Sequence, residues 1–567
     1  MNTMNTHESI EERVKAFWKI AKNHYKVPAN ANFKLPDRTW PDKDIEKTPT
    51  WCTVDLRDWN QSLRKPMTVE EKLEIFNMQV QMWFKEIEVW FPAASEPEYQ
   101  FVRKLIEENL IPEWVKIQVL IQCKDELIEK TRKSLEWAKN VIIHIYNSTS
   151  TQQRETVFNK SKDEIINIAE EWVDLVKKYF ADFTWNFQLE YSPESFTWTE
   201  IEYAEEICKK VFDRWNWFWW KDIIFNLPAT VENSTPDRYA DKIEYMSRAL
   251  KTHVEATKSR IKAIISVHAH NDRWTWVAAT ELAIKAGADR VEWVIGVPNW
   301  ERSWNIDIWT VALNMFSHWV DPKLDLSNIW EISERISEII KIPIHPRYPY
   351  TWELVHTAFS WSHQDAISKW FTKQEERKAT WDEVWDIPYL PINPEHIWLE
   401  YRPIQINSQS WKWWATFILN DIWYKIPKEM QKSIWNKVQE VTDKTNWTLS
   451  EKEIENIFLN NFVNIDGPVW LNEFNFDKIR KLWKKNWLWP IEELKNQIMS
   501  KYWINIDDEN FDYEQKSMTS WAGAKAISYF KININWKNYY WCWLDRDFEI
   551  SALQWLISTI NIALRNQ

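Results

Sequence analysis

Apolar, β-branched runs of strand length alternate through the first half of this chain with stretches whose apolar residues recur three and four apart. The runs are "WCTVDLRD" (51–58), "EIEVWFPAAS" (86–95), "VKIQVLIQ" (115–122), "NVIIHIYNSTS" (140–150), "NFQLEYSPES" (186–195), "DIIFNLPATVE" (222–232), "KAIISVHAHND" (262–272) and "DRVEWVIG" (289–296). Segments such as "TVEEKLEIFNMQVQMWF" and "TEIEYAEEICKKVF" lie between them and carry the helical period. Eight such repeats predict an α/β fold, a (β/α)8 TIM barrel of parallel strands whose reactive groups gather at the C-terminal strand ends.

The polar residues obey that rule. The runs close on Arg57 and Asp58, Gln122, His144 and Asn147, Glu190 and Glu194, Asn226 and Thr230, and His268 and His270. A solitary histidine in an apolar strand reads first as a core residue. His268 and His270, however, are two apart on one strand, so both rings face the same side, and Asp58 stands across the mouth on the first strand. Two imidazoles and a carboxylate with open positions make a divalent-metal site able to polarise a carbonyl. A structural histidine pair is the alternative.

Composition complicates the loop that follows. "HNDRWTW" (270–276) sets two tryptophans beside the histidines, where bulk should block whatever they bind. The chain has 45 Trp and 4 Gly in 567 residues, whereas ordinary usage would supply roughly 40 glycines. The tryptophans also occupy glycine settings, beside Asn, Asp, Lys and Ser in "RDWNQS", "SWKWWAT" and "NWKNYYWCWLD". Most of them therefore read as glycine codons translated with the wrong table, UGA meaning Gly to the organism. The other reading is a true Trp-rich aromatic scaffold. Stacking platforms gather aromatics on one face, and these are spread through every segment.

The formal net charge of −12, with no basic stripe, argues against a nucleic-acid partner. Cys52, Cys123, Cys208 and Cys542 lie far apart, which suits a reducing cytoplasm and neither a zinc site nor a disulfide framework. The polar N-terminus and the lack of an apolar run long enough to span a bilayer predict no membrane association.

With Gly written as Trp, the stretches "LPDRTWPDK", "VDLRDWNQSL", "EYSPESFTWTE", "NLPATVE", "HAHNDRWTWVAAT", "WERSWNIDI", "PYTWELVHTAFSWSHQDAISKW", "PYLPINP" and "INSQSWKWW" resemble 2-isopropylmalate synthases of the long form. The resemblance covers residues 35–420 almost continuously and resumes over 485–567. It sorts the tryptophans. Trp40, Trp51 and Trp385 match family tryptophans, whereas Trp59, Trp274, Trp293, Trp300, Trp304, Trp361, Trp411, Trp413 and Trp414 match family glycines. An indole at Trp59 or Trp274 would crowd the substrate, so the functional reading concerns the glycine-containing product.

The resemblance implies a Claisen condensation. The methyl carbon of acetyl-CoA adds to the keto group of 3-methyl-2-oxobutanoate, and thioester hydrolysis gives 2-isopropylmalate and CoA, the entry step of leucine biosynthesis. It further implies that Asp58, His268, His270 and Asn305 hold Mg²⁺ or Mn²⁺ and that Arg57 stabilises the thioester enolate. Thr230 would bind the keto-acid carboxylate, with His144 and Ser192 in the same pocket and Glu194 as acid/base. His363 and Tyr389 would reach in from the partner of a homodimer. Homocitrate and citramalate synthases share the metal site and differ in the keto-acid pocket; an HMG-CoA-lyase-like enzyme would cleave on the same barrel.

The implied layout is an N-terminal arm (1–49), a TIM-barrel catalytic domain (50–350), helical linker subdomains (351–470) and a small α+β regulatory-type domain (471–567). Two departures stand out. The loop "VIGVPNWERSWN" is one residue longer than its family equivalent and carries Val297 and Pro298 at a glycine–asparagine turn. Residues 467–485 leave little room for the first of two βββα regulatory units. In the second unit a leucine effector would meet a turn in "YYWCWLDRDFEISAL", read as Gly at Trp541 and Trp543, with Asp545 on the loop and Ala552 opening towards the last helix.

Overall fold

A computed structural model of the chain describes residues 10–24, 29–63, 65–183, 186–216, 221–295, 307–351, 354–358, 360–397, 414–422, 424, 426–445, 449–463, 474, 489–502, 506–517, 526–534, 537–545, 553–554, 556–558 and 560–561. It divides into two compact units, Met1–Val355 with Ile392–Glu400, and His356–Pro391 with Tyr401–Gln567.

The first unit contains a closed barrel of eight strands in sequential order, all parallel. They are β1 (Thr50–Thr53), β2 (Glu86–Glu88), β3 (Lys116–Ile121), β4 (Asn140–Ser148), β5 (Asn186–Glu194), β6 (Ile223–Ala229), β7 (Ala263–Ala269) and β8 (Arg290–Trp293). Seven of the eight expected runs contain their strands, and β1 begins one residue before its run. The largest shortfalls have local causes. Beyond β1 the chain coils into a π-helical turn, Asp55–Trp59, and beyond β2 Trp90 adopts a φ of 98°, which extended backbone does not allow.

Alternation sorts the strand residues. Odd-numbered Ile117, Val119, Ile121, Val141, Ile143, Ile145, Leu189 and Val267 belong to the main apolar core. Even-numbered Glu86, Glu88, Gln118, Glu190, Asn226, Arg290 and Glu292 are buried too, and all but Glu88 bond to one another across the interior, while Glu88 bonds Arg57 and His144. The barrel is therefore apolar outside and polar within.

Helix ends carry an unusual signature. Among the described residues fourteen non-glycine positions have positive φ, and six of them are Trp83, Trp90, Trp137, Trp274, Trp319 and Trp381. A bulky residue there is a steric outlier. After the helix Ile308–Ser317, Trp319 N–H bonds Phe316 O at 3.1 Å and Val320 N–H bonds Met315 O at 3.0 Å. Trp83 and Trp381 close their helices with the same bond pair. So does a true glycine. Gly287, at φ +106°, follows the helix Trp276–Lys285, with Gly287 N–H to Ile284 O and Ala288 N–H to Ala283 O, both 3.0 Å. This is the Schellman cap, whose left-handed residue is usually glycine.

Indole hydrogen bonding divides the tryptophans again. Trp40 donates to Asp241 Oδ1 at 2.8 Å, Trp51 to Pro322 O at 2.8 Å, and Trp385 to Leu390 O at 2.9 Å. Trp215 also donates, to Lys221 O at 3.1 Å. The buried indole N–H groups of Trp198, Trp293 and Trp309 have no acceptor among the described residues, an omission that costs about 1–3 kcal/mol each. Trp274 itself is 71% exposed. What glycine would supply there is the φ of +59°.

In the second unit the helix Trp361–Lys378 packs on Ala358, Ile387 and Leu390 through Ile367. The helices Trp414–Asp421, Lys428–Thr445 and Glu451–Phe462 share a core with Ile527, Tyr529 and Cys542. The last two elements contributing to it belong to a three-stranded antiparallel sheet ordered β11-β10-β9, with β9 Ile506–Ser517, β10 Ala526–Ile534 and β11 Lys537–Asp545. Trp541 and Trp543 therefore lie in a strand, not a turn, paired with Phe530 and Ser528, and Asp545 ends that strand. The turn expected at these positions is instead part of the strand β11. Ala552, residues 467–473 and 475–485 and the loop 296–306 lie outside the described residues.

Candidate active site

The C-terminal strand ends of the barrel enclose a cavity of about 210 Å³, lined by Arg57, Asp58, His144, Ser192, Glu194, Thr230, His268 and His270 among others. These eight were all singled out from sequence. Asn305 lies outside the described residues, as do Trp300, Trp304, Trp411 and Trp413. His363 and Tyr389 belong to the second unit, where their rings stack at 4.0 Å between centroids and 25° between planes.

The turn after β1 brings Arg57 and Asp58 to the mouth, while β7 projects His268 and the residue just past its end, His270. Ligand atoms of Asp58, His268 and His270 all lie within 4.8 Å of one another, and all three residues are buried. His268 Nε2 is 4.0 Å from Asp58 Oδ2. Two neutral imidazole nitrogens and one carboxylate oxygen suit a borderline-to-hard divalent cation with positions left for oxygen ligands, so these residues fit a metal. Trp293, assigned to a family glycine, packs its ring 4.3 Å from that of His268.

Arg57 donates from Nη1 to Asp58 Oδ1 at 2.6 Å and from Nε to Glu88 Oε2 at 2.5 Å. Burial works against its charge, yet Asp58 and Glu88 raise the guanidinium pKa above its ordinary value, so the cation persists in a dry site. Gln61 Nε2 also donates to Asp58 Oδ1, at 3.0 Å. His144 Nε2 meets Ser192 Oγ at 2.8 Å, and its Nδ1 lies 3.3 Å from Glu88 Oε1. Glu194 accepts a short hydrogen bond from Ser148 Oγ, and Thr230 Oγ1 accepts the Ser195 N–H at 3.0 Å.

A second ligand-rich group, His144, Glu190 and Glu292, lies deeper in the interior. It already holds a cation, the Arg290 guanidinium, 2.6 Å from Glu292 and 3.4 Å from Glu190. Burial, with Glu292 beside it, pushes the Glu190 carboxyl well up; Glu292 is held well below the usual range by Arg290 despite its own burial. Sequence reading missed Glu88, Asn226's bonding role, Arg290 and Glu292. Their signal is polarity at alternate positions of runs that look apolar on average.

A family model described as HMGL-like matches residues 48–336. A second, described as alpha-isopropylmalate synthase, post-catalytic domain-like, matches residues 353–420. The curated 2-isopropylmalate synthase of Acetoanaerobium sticklandii is 41% identical over 95% of this chain and 96% of its own length. That of Helicobacter hepaticus is 41% identical over 93% and 97%, and that of Desulfitobacterium hafniense 42% over 93% and 96%.

Proposed function

The chain belongs to the 2-isopropylmalate synthase family, and from that premise we propose how its residues serve the condensation of acetyl-CoA with 3-methyl-2-oxobutanoate. The observation that carries the proposal is the Asp58, His268 and His270 cluster at the mouth of a barrel matched along nearly its whole length. Those three residues, with Asn305, hold Mg²⁺ or Mn²⁺, which supplies Lewis acidity to a bound 2-oxo acid. Thr230 binds the substrate carboxylate, and His144 and Ser192, already bonded to each other, border the keto group.

Arg57 is fixed in plane by two carboxylates and stabilises the negative charge that develops on the thioester oxygen as the methyl group loses its proton. The enolate carbon then bonds to the keto carbon, whose oxygen gains a proton, and water cleaves the thioester to release CoA. Glu194 is the acid/base group for these transfers, its carboxylate oriented by Ser148. His363 and Tyr389 act in the barrel of a partner subunit, which makes the enzyme a homodimer. The layout follows the boundaries 1–49, 50–350, 351–470 and 471–567, the last an effector domain for leucine. Among the described residues no helix is long and apolar enough to cross a membrane; the four buried free cysteines support a cytoplasmic setting.

The product is proposed to carry glycine where UGA encodes Trp here. Support comes from tryptophans in Schellman caps that match the cap of Gly287, and from buried indoles without acceptors. Peptide mass spectrometry of the native protein should find glycine at Trp83, Trp319 and Trp381 and tryptophan at Trp40, Trp51 and Trp385. CoA release by protein made from the native gene, with UGA decoded as glycine, should be fastest with 3-methyl-2-oxobutanoate. A preference for 2-oxoglutarate or pyruvate would reassign it to homocitrate or citramalate synthesis.

A further inference from the structure

Glu292 is fully buried on β8 and lies against four side-chain nitrogens. Arg290 Nη1 (2.6 Å) and Gln118 Nε2 (3.0 Å) reach its Oε1, while Asn226 Nδ2 (2.9 Å) and His268 Nδ1 (3.3 Å) reach its Oε2. With a guanidinium and two amide N–H groups directed at its oxygens, the Glu292 carboxylate serves as an acceptor. The proton of a neutral His268 therefore sits on Nδ1, and the lone pair of Nε2 faces Asp58 Oδ2.

The same side chain closes a ring. From Glu292 the bonds run through Asn226 to Ser192 Oγ (3.1 Å), to His144 Nε2 (2.8 Å), from His144 Nδ1 to Glu88 (3.3 Å), to Arg57 (2.5 Å) and to Asp58 (2.6 Å). Asp58 and His268 then face each other across the candidate metal position.

We propose that Glu292 is a positioning residue for metal binding: it fixes the Nδ1–H tautomer and ring plane of His268 and couples the metal ligands to Arg57 through that ring. The proposal rests on the metal-site reading above. Arg290 argues against a merely space-filling role, because its other bonds, to Glu86 (2.5 Å), Gln118 (2.6 Å) and Ser266 (2.9 Å), already hold it without Glu292.

The test uses the full-length chain, produced with UGA decoded as glycine, stripped with chelator and titrated with Mn²⁺ while free Mn²⁺ is read by paramagnetic resonance. Glu292→Gln presents an amide that cannot accept on both edges, and its Mn²⁺ affinity should fall roughly 10- to 100-fold. Glu292→Asp keeps the charge for Arg290 but withdraws the oxygen from Nδ1, and should weaken Mn²⁺ in the same direction with an unchanged melting temperature. Independently, ¹⁵N spectra of the wild-type histidines should show His268, assigned by loss of its signals in His268→Asn, as the Nδ1–H tautomer. Wild-type Mn²⁺ affinity in a folded Glu292 variant, or an Nε2–H tautomer at His268, would overturn the proposal. Asp58→Ala is the control that separates the two readings. If it too binds Mn²⁺ normally, the metal site itself is misplaced; if it alone loses binding, only the role of Glu292 falls.

Discussion

Asp55 sits in the turn after β1, fully buried, with the Ile295 N–H and the Gln79 amide each 2.9 Å from its carboxylate oxygens. Burial outweighs those donors and pushes its pKa up to about 8, against about 3.9 in an unfolded chain. The folded protein then retains a proton that the unfolded chain has released, so this stability contribution is complete below about pH 4 and lost as pH rises to about 8, by up to about 1.4 kcal/mol per pH unit. Asp55→Asn should flatten that slope, bringing urea midpoints at about pH 5.5 and pH 8.5 together; an unaltered slope would assign it elsewhere. At the metal site, His268→Ala or His270→Ala should abolish condensation and Mn²⁺ stimulation together, and full activity after chelation would contradict both roles. These histidines were legible because a spacing of two on a strand fixes a common face. Glu292 was not, because only neighbouring strands reveal what an inward carboxylate touches.

Elements ended where the sequence lacked the residue that normally ends them. The strand runs and the helical periods were readable, since each depends on local chemistry; the capping boxes at Thr68, Ser161 and Ser450 emerged only from the structure. Helix C-termini were legible only once Trp was read as Gly. In protein translated with tryptophan, Trp319→Gly should raise stability by about 1 kcal/mol, the lower end of the left-handed penalty; a fall in the melting temperature would show that the indole packs usefully. The helix Pro236–Ala256 holds a different defect. Lys242 is buried there without a hydrogen-bond partner among the described residues, and burial lowers its pKa to about 8. Lys242→Met should stabilise the fold by about 1–3 kcal/mol near neutral pH, with the gain shrinking as pH rises from about 8 towards 10 and the lysine sheds its charge in the folded state.

At the scale of the whole molecule, subunit sharing is testable by complementation. If His363 and Tyr389 serve a partner's barrel, mixing inactive His363→Ala and Asp58→Ala proteins should restore part of the activity through hybrid dimers; no recovery after verified subunit exchange would make each chain self-sufficient. The barrel was readable because eight βα repeats admit few closures. The small sheet was misread at Trp541 and Trp543, because their pairing with Phe530 and Ser528 is not visible along one dimension. The hydrogen-bonded ring in the barrel has a further bearing on how such an enzyme changes over generations. Leu120, Tyr146 and Pro228 also line the cavity, each two residues farther along its strand than Gln118, His144 and Asn226, which hold the network. Selection for a differently shaped 2-oxo acid can therefore act on these three positions while Gln118, His144 and Asn226 beneath them are inherited intact.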